Sequence, residues 1–205
     1  CGTAGEKRPA LMLIVAWEST AACNLRCSYC RAEASHMPDP EELSTEEALS
    51  FLESIAPLQP MLILSGGEPL LRPDIFFLAR HAASLGMRVS LASNGTLITP
   101  DLVDEIALSG ISRVSISLDA AGPVGHDEMR GQGSFERALQ GIACLQGRID
   151  FQINHTITGR RKSDIPAMFC LAEEMGARAL HFFFLVATGR GKEEEQLSGE
   201  EQEKI

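Results

Sequence analysis

The chain has 205 residues, 44% hydrophobic and 22% charged, with a formal net charge of −10 from 18 basic and 28 acidic side chains. This is the make-up of one globular domain with a sizeable core, and its acidity argues against a nucleic-acid scaffold or a protein held on an anionic membrane. No apolar run reaches the length of a membrane span, the leader 1–10 lacks the apolar segment of a secretory signal, and the six cysteines, three of them clustered, fit reduced cytoplasmic thiols better than a disulfide framework.

In chain order, 1–10 reads as a flexible leader and Leu11 to Trp17 as a buried strand. The loop behind it carries Cys23, Cys27 and Cys30 at the spacing C-x3-C-x2-C. Thiolates are the usual ligands of iron–sulfur clusters, and three from one loop leave the fourth iron of a [4Fe–4S] cube open to a ligand. A Cys3His zinc site completed by His36 is the competing reading, but it leaves the glycines after the second strand unexplained.

Ser44 and Glu47 form a capping box, and Ala48, Leu49, Leu52, Ile55 and Ala56 follow at helical spacing as far as Pro57 and Pro60. A second strand, Met61 to Leu64, runs into Gly66-Gly67-Glu68-Pro69. A helix from Asp74 to Leu85 turns Ile75, Leu78, Ala79 and Ala82 inward and closes at Gly86. The third strand, Arg88 to Ala92, leads into Ser93-Asn94-Gly95, and Thr99-Pro100 opens a helix that ends at Gly110.

Arg113 to Asp119 is the fourth strand, followed by a long connection from Ala120 to Gly133. A helix from Phe135 to Leu145, a strand from Asp150 to Ile157, a helix from Ile165 to Met175 and a sixth strand from Leu180 to Val186 complete the pattern. Ser198 and Glu201 open a further helix, so the molecule is expected to continue past Ile205. Six strand–helix units with continuous apolar strands predict an α/β fold on a parallel sheet. In such folds function gathers at the carboxyl ends of the strands, where nearly all the unusual polar residues fall. Asn154 and His155 alternate in the fifth strand, and parity alone leaves open which of them faces inward. Asp119 reads equally as a cap or a cofactor contact. Cys144 and Cys170, like Phe182, Phe183 and Phe184, read as core or helix packing, and the acidic residues Glu193 to Glu195 and Glu200 to Glu203 as surface.

The cysteine spacing with Tyr29 before the last cysteine, together with Gly66-Gly67-Glu68-Pro69, resembles the radical S-adenosylmethionine (radical SAM) superfamily. Ser93-Asn94-Gly95 and Ser117-Leu118-Asp119 resemble its sub-branch with a C-terminal auxiliary-cluster (SPASM-type) domain, although the auxiliary cysteines are missing from the sequence. Val15-Ala16-Trp17-Glu18 and the residues around the cysteines are similar to enzymes of alternative heme and heme d1 synthesis, with peptide maturases sharing much of the pattern.

The resemblance implies a partial (β/α)6 TIM-like barrel over 11–205. It further implies a [4Fe–4S] cluster on Cys23, Cys27 and Cys30 whose open iron binds SAM. Reductive cleavage of SAM to a 5′-deoxyadenosyl radical would then abstract a substrate hydrogen, in a tetrapyrrole or, alternatively, a peptide. By the same resemblance Gly66, Gly67 and Glu68 hold the SAM amino group, Arg130 its carboxylate, and Ser93, Ser117 and Asn154 its ribose or carboxylate. Tyr29 then lies at the adenine edge, Leu185, Val186, Gly189 and Arg190 line the adenine pocket, and a low-potential donor such as ferredoxin or flavodoxin supplies electrons in the cytoplasm. The bottom-up alternative is a non-enzymatic iron–sulfur or zinc domain.

Overall fold

The computed structural model describes residues 13–193 and 196–204. The leader with Cys1, Leu11 and Met12 of the expected first strand, and the side chains of Glu193 to Glu195 lie outside the described residues. Six strands, β1 (Ile14–Glu18), β2 (Met61–Ser65), β3 (Arg88–Ser93), β4 (Ile111–Ser117), β5 (Phe151–Ile157) and β6 (Leu180–Phe184), lie side by side in sequence order. Every neighbouring pair is parallel, and β1 and β6 remain edges. The sheet is therefore an open half-barrel, as the alternation of elements predicts.

Helices α1 (Thr45–Ile55), α2 (Ile75–Ser84), α3 (Pro100–Leu108), α5 (Ser134–Leu145) and α6 (Ile165–Glu174) return the chain between strands, and α7 (Gly199–Gln202) follows β6. Both expected capping boxes form, at Ser44 with Glu47 and at Ser198 with Glu201. Among the described residues no helix is long and apolar enough to cross a membrane. The core lies between sheet and helices. Leu62, Leu64, Val89, Leu91, Val114, Ile116 and Ile153 meet Leu52, Leu78, Ile106 and Ile142 there, all at most 1% exposed. Burying a side chain of this size contributes about 1.5–3 kcal/mol, so the convex face of each strand is fixed by its apolar parity.

That parity settles the fifth strand. His155 is fully buried on the helix side, its ring edge-on to Phe182 at 5.6 Å, and its Nδ1 donates to the Leu118 carbonyl at 3.1 Å. Asn154 therefore faces the concave side, in register with Ser117 and His181.

Three expectations are corrected. The connection after β4 contains a helix, α4 (Pro123–Arg130), which buries His126, Met129 and Arg130. Cys170 is exposed rather than in the core, because α6 turns Met168 and Ala172 inward. Phe182 packs on Phe169 as expected, but Phe183 and Phe184 are 49% and 41% exposed.

Candidate active site at the carboxyl ends of the strands

The cysteine loop is closed on itself before it meets anything else. Cys23 N–H donates to the Ser35 carbonyl at 2.6 Å, and Ser35 N–H to that of Ala21 at 3.1 Å. The loop after β2 then lies flat against it: Gly67 N–H donates to the Thr20 carbonyl and Glu68 N–H to that of Ala22, at 2.7 and 2.8 Å. The two glycines are required here, since a Cβ on Gly66 would stand 2.3 Å from Thr20 O and one on Gly67 2.3 Å from Ala22 O. Gly66 also has φ of +140°. The close approach they permit is to protein backbone as well as to whatever fills the cavity.

Glu68 is already engaged by protein donors. It is fully buried, with Oε1 accepting from Leu70 N–H at 3.2 Å and Ser93 Oγ at 2.9 Å, and Oε2 from Asn94 N–H at 2.8 Å. Burial pushes its carboxyl up to about 7 against these three donors. Its carboxylate thus ties the end of β2 to the end of β3. Asn94 extends the tie, its amide donating to Asn24 Oδ1 at 2.9 Å and lying 3.9 Å from Cys23 Sγ.

Asp119, Arg130 and Tyr29 form a buried cluster on the other side. Arg130 Nε and the Tyr29 hydroxyl both donate to Asp119 Oδ2, Arg130 Nη2 bonds the Tyr29 hydroxyl, and Asp119 Oδ1 accepts from Thr156 N–H at 3.0 Å. Burial alone would raise the Asp119 carboxyl, but Arg130, Tyr29 and Thr156 together hold it below the usual range. Burial raises the Tyr29 phenol well above its ordinary value. Of the two readings of Asp119, the structure makes it the partner of Arg130. Arg130 in turn keeps Nη1 unpaired among the described residues.

A cavity of about 200 Å³ joins these parts. Cys23, Cys27 and Cys30 line it together with Tyr29, Gly66, Gly67, Ser93, Ser117 and Arg130. Glu68 and Asn154 stand outside its wall. Burial raises the thiols of Cys23 and Cys27, opposed at Cys23 by the Leu25 N–H and at Cys27 by Arg130. No three His, Cys, Asp or Glu among the described residues gather around a point that would hold one ion. His36 instead meets the Cys23 carbonyl at 3.1 Å, so the Cys3His zinc arrangement is not formed. Three thiols lining one cavity are the ligand type of an iron–sulfur cluster.

Arg190 also lines this cavity, and it clamps the cysteine loop from there. Its Nε donates to the Cys27 carbonyl at 2.9 Å, Nη1 to that of Ala34 at 3.0 Å and its backbone N–H to that of Cys30 at 3.1 Å. Asn94, Asn24 and Arg190 as loop clamps were missed. The one available signal was that these polar residues lie in the connections that follow β1, β3 and β6.

Comparison with known proteins agrees with this geometry. The chain is 47% identical over 195 residues to AdoMet-dependent heme synthase of Methanosarcina barkeri (strain Fusaro / DSM 804), covering 94% of this chain and 56% of that protein. It is 37% identical over 181 residues to pre-heme d1 synthase of Dinoroseobacter shibae (strain DSM 16493 / NCIMB 14021 / DFL 12), covering 87% and 45%. The chain thus spans about half the length of the curated relatives it matches. In fold it is similar to SuiB of Streptococcus suis bound to S-adenosylmethionine, with a TM-score of 0.76 at 19% identity over 92% of this chain and 44% of that one. The model of the radical SAM superfamily matches residues 17–166. Because that match runs from the end of β1 through β5 and takes in every cavity-lining residue but Arg190, the chain belongs to the radical SAM superfamily, enzymes that work with a [4Fe–4S] cluster and S-adenosylmethionine.

Proposed function

We propose that residues 11–205 are the core domain of a radical SAM enzyme that modifies tetrapyrrole side chains, with Cys23, Cys27 and Cys30 holding the cluster. The observation that carries this reading is the convergence of three thiols, Gly66, Gly67 and Arg130 on one cavity, in a chain 47% identical to an AdoMet-dependent heme synthase.

The chain's own residues divide the work. The three cysteines must give up their protons to bind iron, and burial of Cys23 and Cys27 makes that loss harder at low pH. Gly66 and Gly67 present backbone to the amino group of SAM, with the Glu68 carboxylate behind them. Arg130 offers Nη1 to the SAM carboxylate, oriented by Asp119 and Tyr29. Ser93 and Ser117 supply hydroxyls for ribose or carboxylate, Tyr29 meets the adenine edge, and Asn154, outside the cavity wall, stands next to Ser117 on the concave face. When bound, cluster and SAM together supply reductive SAM cleavage and hydrogen abstraction from an unactivated carbon. A low-potential donor such as ferredoxin or flavodoxin feeds the reaction in the cytoplasm. Peptide modification has weaker support: the likeness to SuiB, also solved with precursor peptide SuiA, is one of fold, and mycofactocin maturase MftC of Mycobacterium tuberculosis is 35% identical, against 47% for the heme synthase.

The test is anaerobic reconstitution of the full-length protein, followed by dithionite and SAM. 5′-Deoxyadenosine is expected from the wild type and none from Cys27→Ala. A fully cluster-loaded wild type that releases none refutes the assignment.

A further inference from the structure

We infer that the concave face of the sheet is a wall for a carboxylate-bearing substrate, with Arg113 and His181 as its anion-recognising side chains. This rests on the tetrapyrrole reading above and adds the group by which such a substrate is held.

The argument begins with parity. The convex residues Leu62, Leu64, Val114 and Ile116 belong to the core, so their alternates face the hollow of the half-barrel. Register places Ala16, Ile63, Ser90 and Arg113 along one row of that face, and Ser117, Asn154 and His181 along another. Arg113 is half-buried, and its guanidinium makes no hydrogen bond or ion pair with any described residue. Along the strands Glu18 is the one carboxylate of concave parity, and it is paired with Arg31. Asp150, just before β5, is paired with Arg178 at 2.9 Å. A cation partly withdrawn from water without a counter-ion is unfavourable by itself, and a docking carboxylate reverses the sign through a charge-assisted, bidentate contact.

His181 is set up as a donor by its neighbours. The Gln152 amide nitrogen donates to Asn154 Oδ1 at 3.0 Å and also stands 3.0 Å from His181 Nδ1. An amide nitrogen cannot accept, so Nδ1 accepts and the ring proton resides on Nε2. That N–H, the Ser117 hydroxyl and Arg113 all face the same hollow as donors. At its open side stand apolar residues of the same parity on the two edge strands, Ile14 at 51% and Phe183 at 49% exposure. Apolar lips and a donor-lined floor match a flat macrocycle that carries carboxylates on its side chains.

The experiment titrates full-length, cluster-loaded protein with coproporphyrin III, a tetracarboxylate, and with its tetramethyl ester, following the Soret band. The wild type should bind the acid more tightly than the ester. Arg113→Ala should weaken acid binding at least about ten-fold, and His181→Ala less, with ester binding unmoved. Arg113→Lys should recover part of the loss, and circular dichroism should show unaltered folding, since Arg113 has no side-chain partner to lose among the described residues. Equal affinity of the wild type for acid and ester, or wild-type affinity for the acid in Arg113→Ala, overturns the wall alone. A wild type that binds neither porphyrin yet releases 5′-deoxyadenosine overturns the tetrapyrrole reading and this assignment with it.

Discussion

Glu68 and His126 are both buried, yet their ionisation works on the native state in opposite directions. Burial lifts Glu68 from 4.5 to about 7 despite its three donors. An acid whose folded pKa is raised stabilises fully below the unfolded value, and that stability is lost as pH climbs from 4.5 to 7. Burial, with Arg130 nearby, pushes His126 from 6.5 down to about 4. A base depressed in this way stabilises fully above 6.5 and loses that stability as pH falls to 4. Each shift corresponds to about 3 kcal/mol at full extent, so between pH 4.5 and 6.5 the two slopes offset each other. In urea unfolding of cluster-free protein, Glu68→Gln should lose stability on acidification through this window, and His126→Gln should gain it. Slopes of the same sign in both variants would refute the pairing. These two charge states were not legible in the sequence. Gly-Gly-Glu signalled a site, but not that the Glu68 oxygens are consumed by Ser93 and Asn94, some 25 residues on. The cysteines were legible because metal ligation needs particular side chains at short spacing. Asn94 was not, because its role depends on which distant loop end meets Cys23.

Among the elements, the cysteine loop has little apolar anchoring of its own: Cys23, Leu25 and Ala34 form a small cluster separate from the main core. Its order therefore depends on clamps from outside. Ser28 N–H reaches the Met129 carbonyl of α4 at 2.8 Å, and the turn after β6 adds the three Arg190 contacts. Gly189 fits under the loop because a Cβ there would stand 2.4 Å from the Cys30 carbonyl. Hydrogen bonds from a charged group contribute about 1.5–3 kcal/mol each. Arg190→Ala should accordingly speed amide hydrogen exchange in 27–34 by about ten-fold or more, while protection in β2 to β4 stays unchanged. Exchange in the loop at the wild-type rate would show that the clamp is idle. The strong elements were predictable for the same reason that they are stable: α1, α2 and α3 bury periodic apolar stripes, and α1 and α3 carry side-chain caps at Ser44 and Thr99. Helix α4 lacks such a stripe in its sequence PVGHDEMR. It is held instead by tertiary contacts and by Asp127, whose carboxylate accepts from Gly133 N–H at 2.7 Å and Phe135 N–H at 2.9 Å.

At the scale of the whole molecule, an all-parallel sheet brings the carboxyl ends of all six strands to one rim and the amino ends to the other. The alternation of apolar strands and amphipathic helices made this polarity legible, since each crossover returns the chain to the same end before the next strand begins. Cavity size points the other way. A cavity of about 570 Å³ lies at the amino-end rim among Gln146, Arg148, Asp150, Glu174 and Arg178, while the one lined by the cysteines holds about 200 Å³. Volume does not decide between them, because cofactor chemistry needs convergent ligands. The larger cavity has no cysteine in its lining, and both of its arginines are already engaged: Arg148 with Asp104, and Arg178 with Asp150 at 2.9 Å. Those exposed pairs contribute about 0–1 kcal/mol, so they can be removed with little effect on folding. Arg148→Ala and Arg178→Ala should keep SAM affinity within about two-fold of wild type, whereas Arg130→Ala should abolish it. Equilibrium dialysis of labelled SAM against cluster-loaded protein gives the comparison. A loss of SAM binding in Arg148→Ala matching that in Arg130→Ala would move the cofactor to the opposite end of the barrel and overturn the polarity argued from the strands.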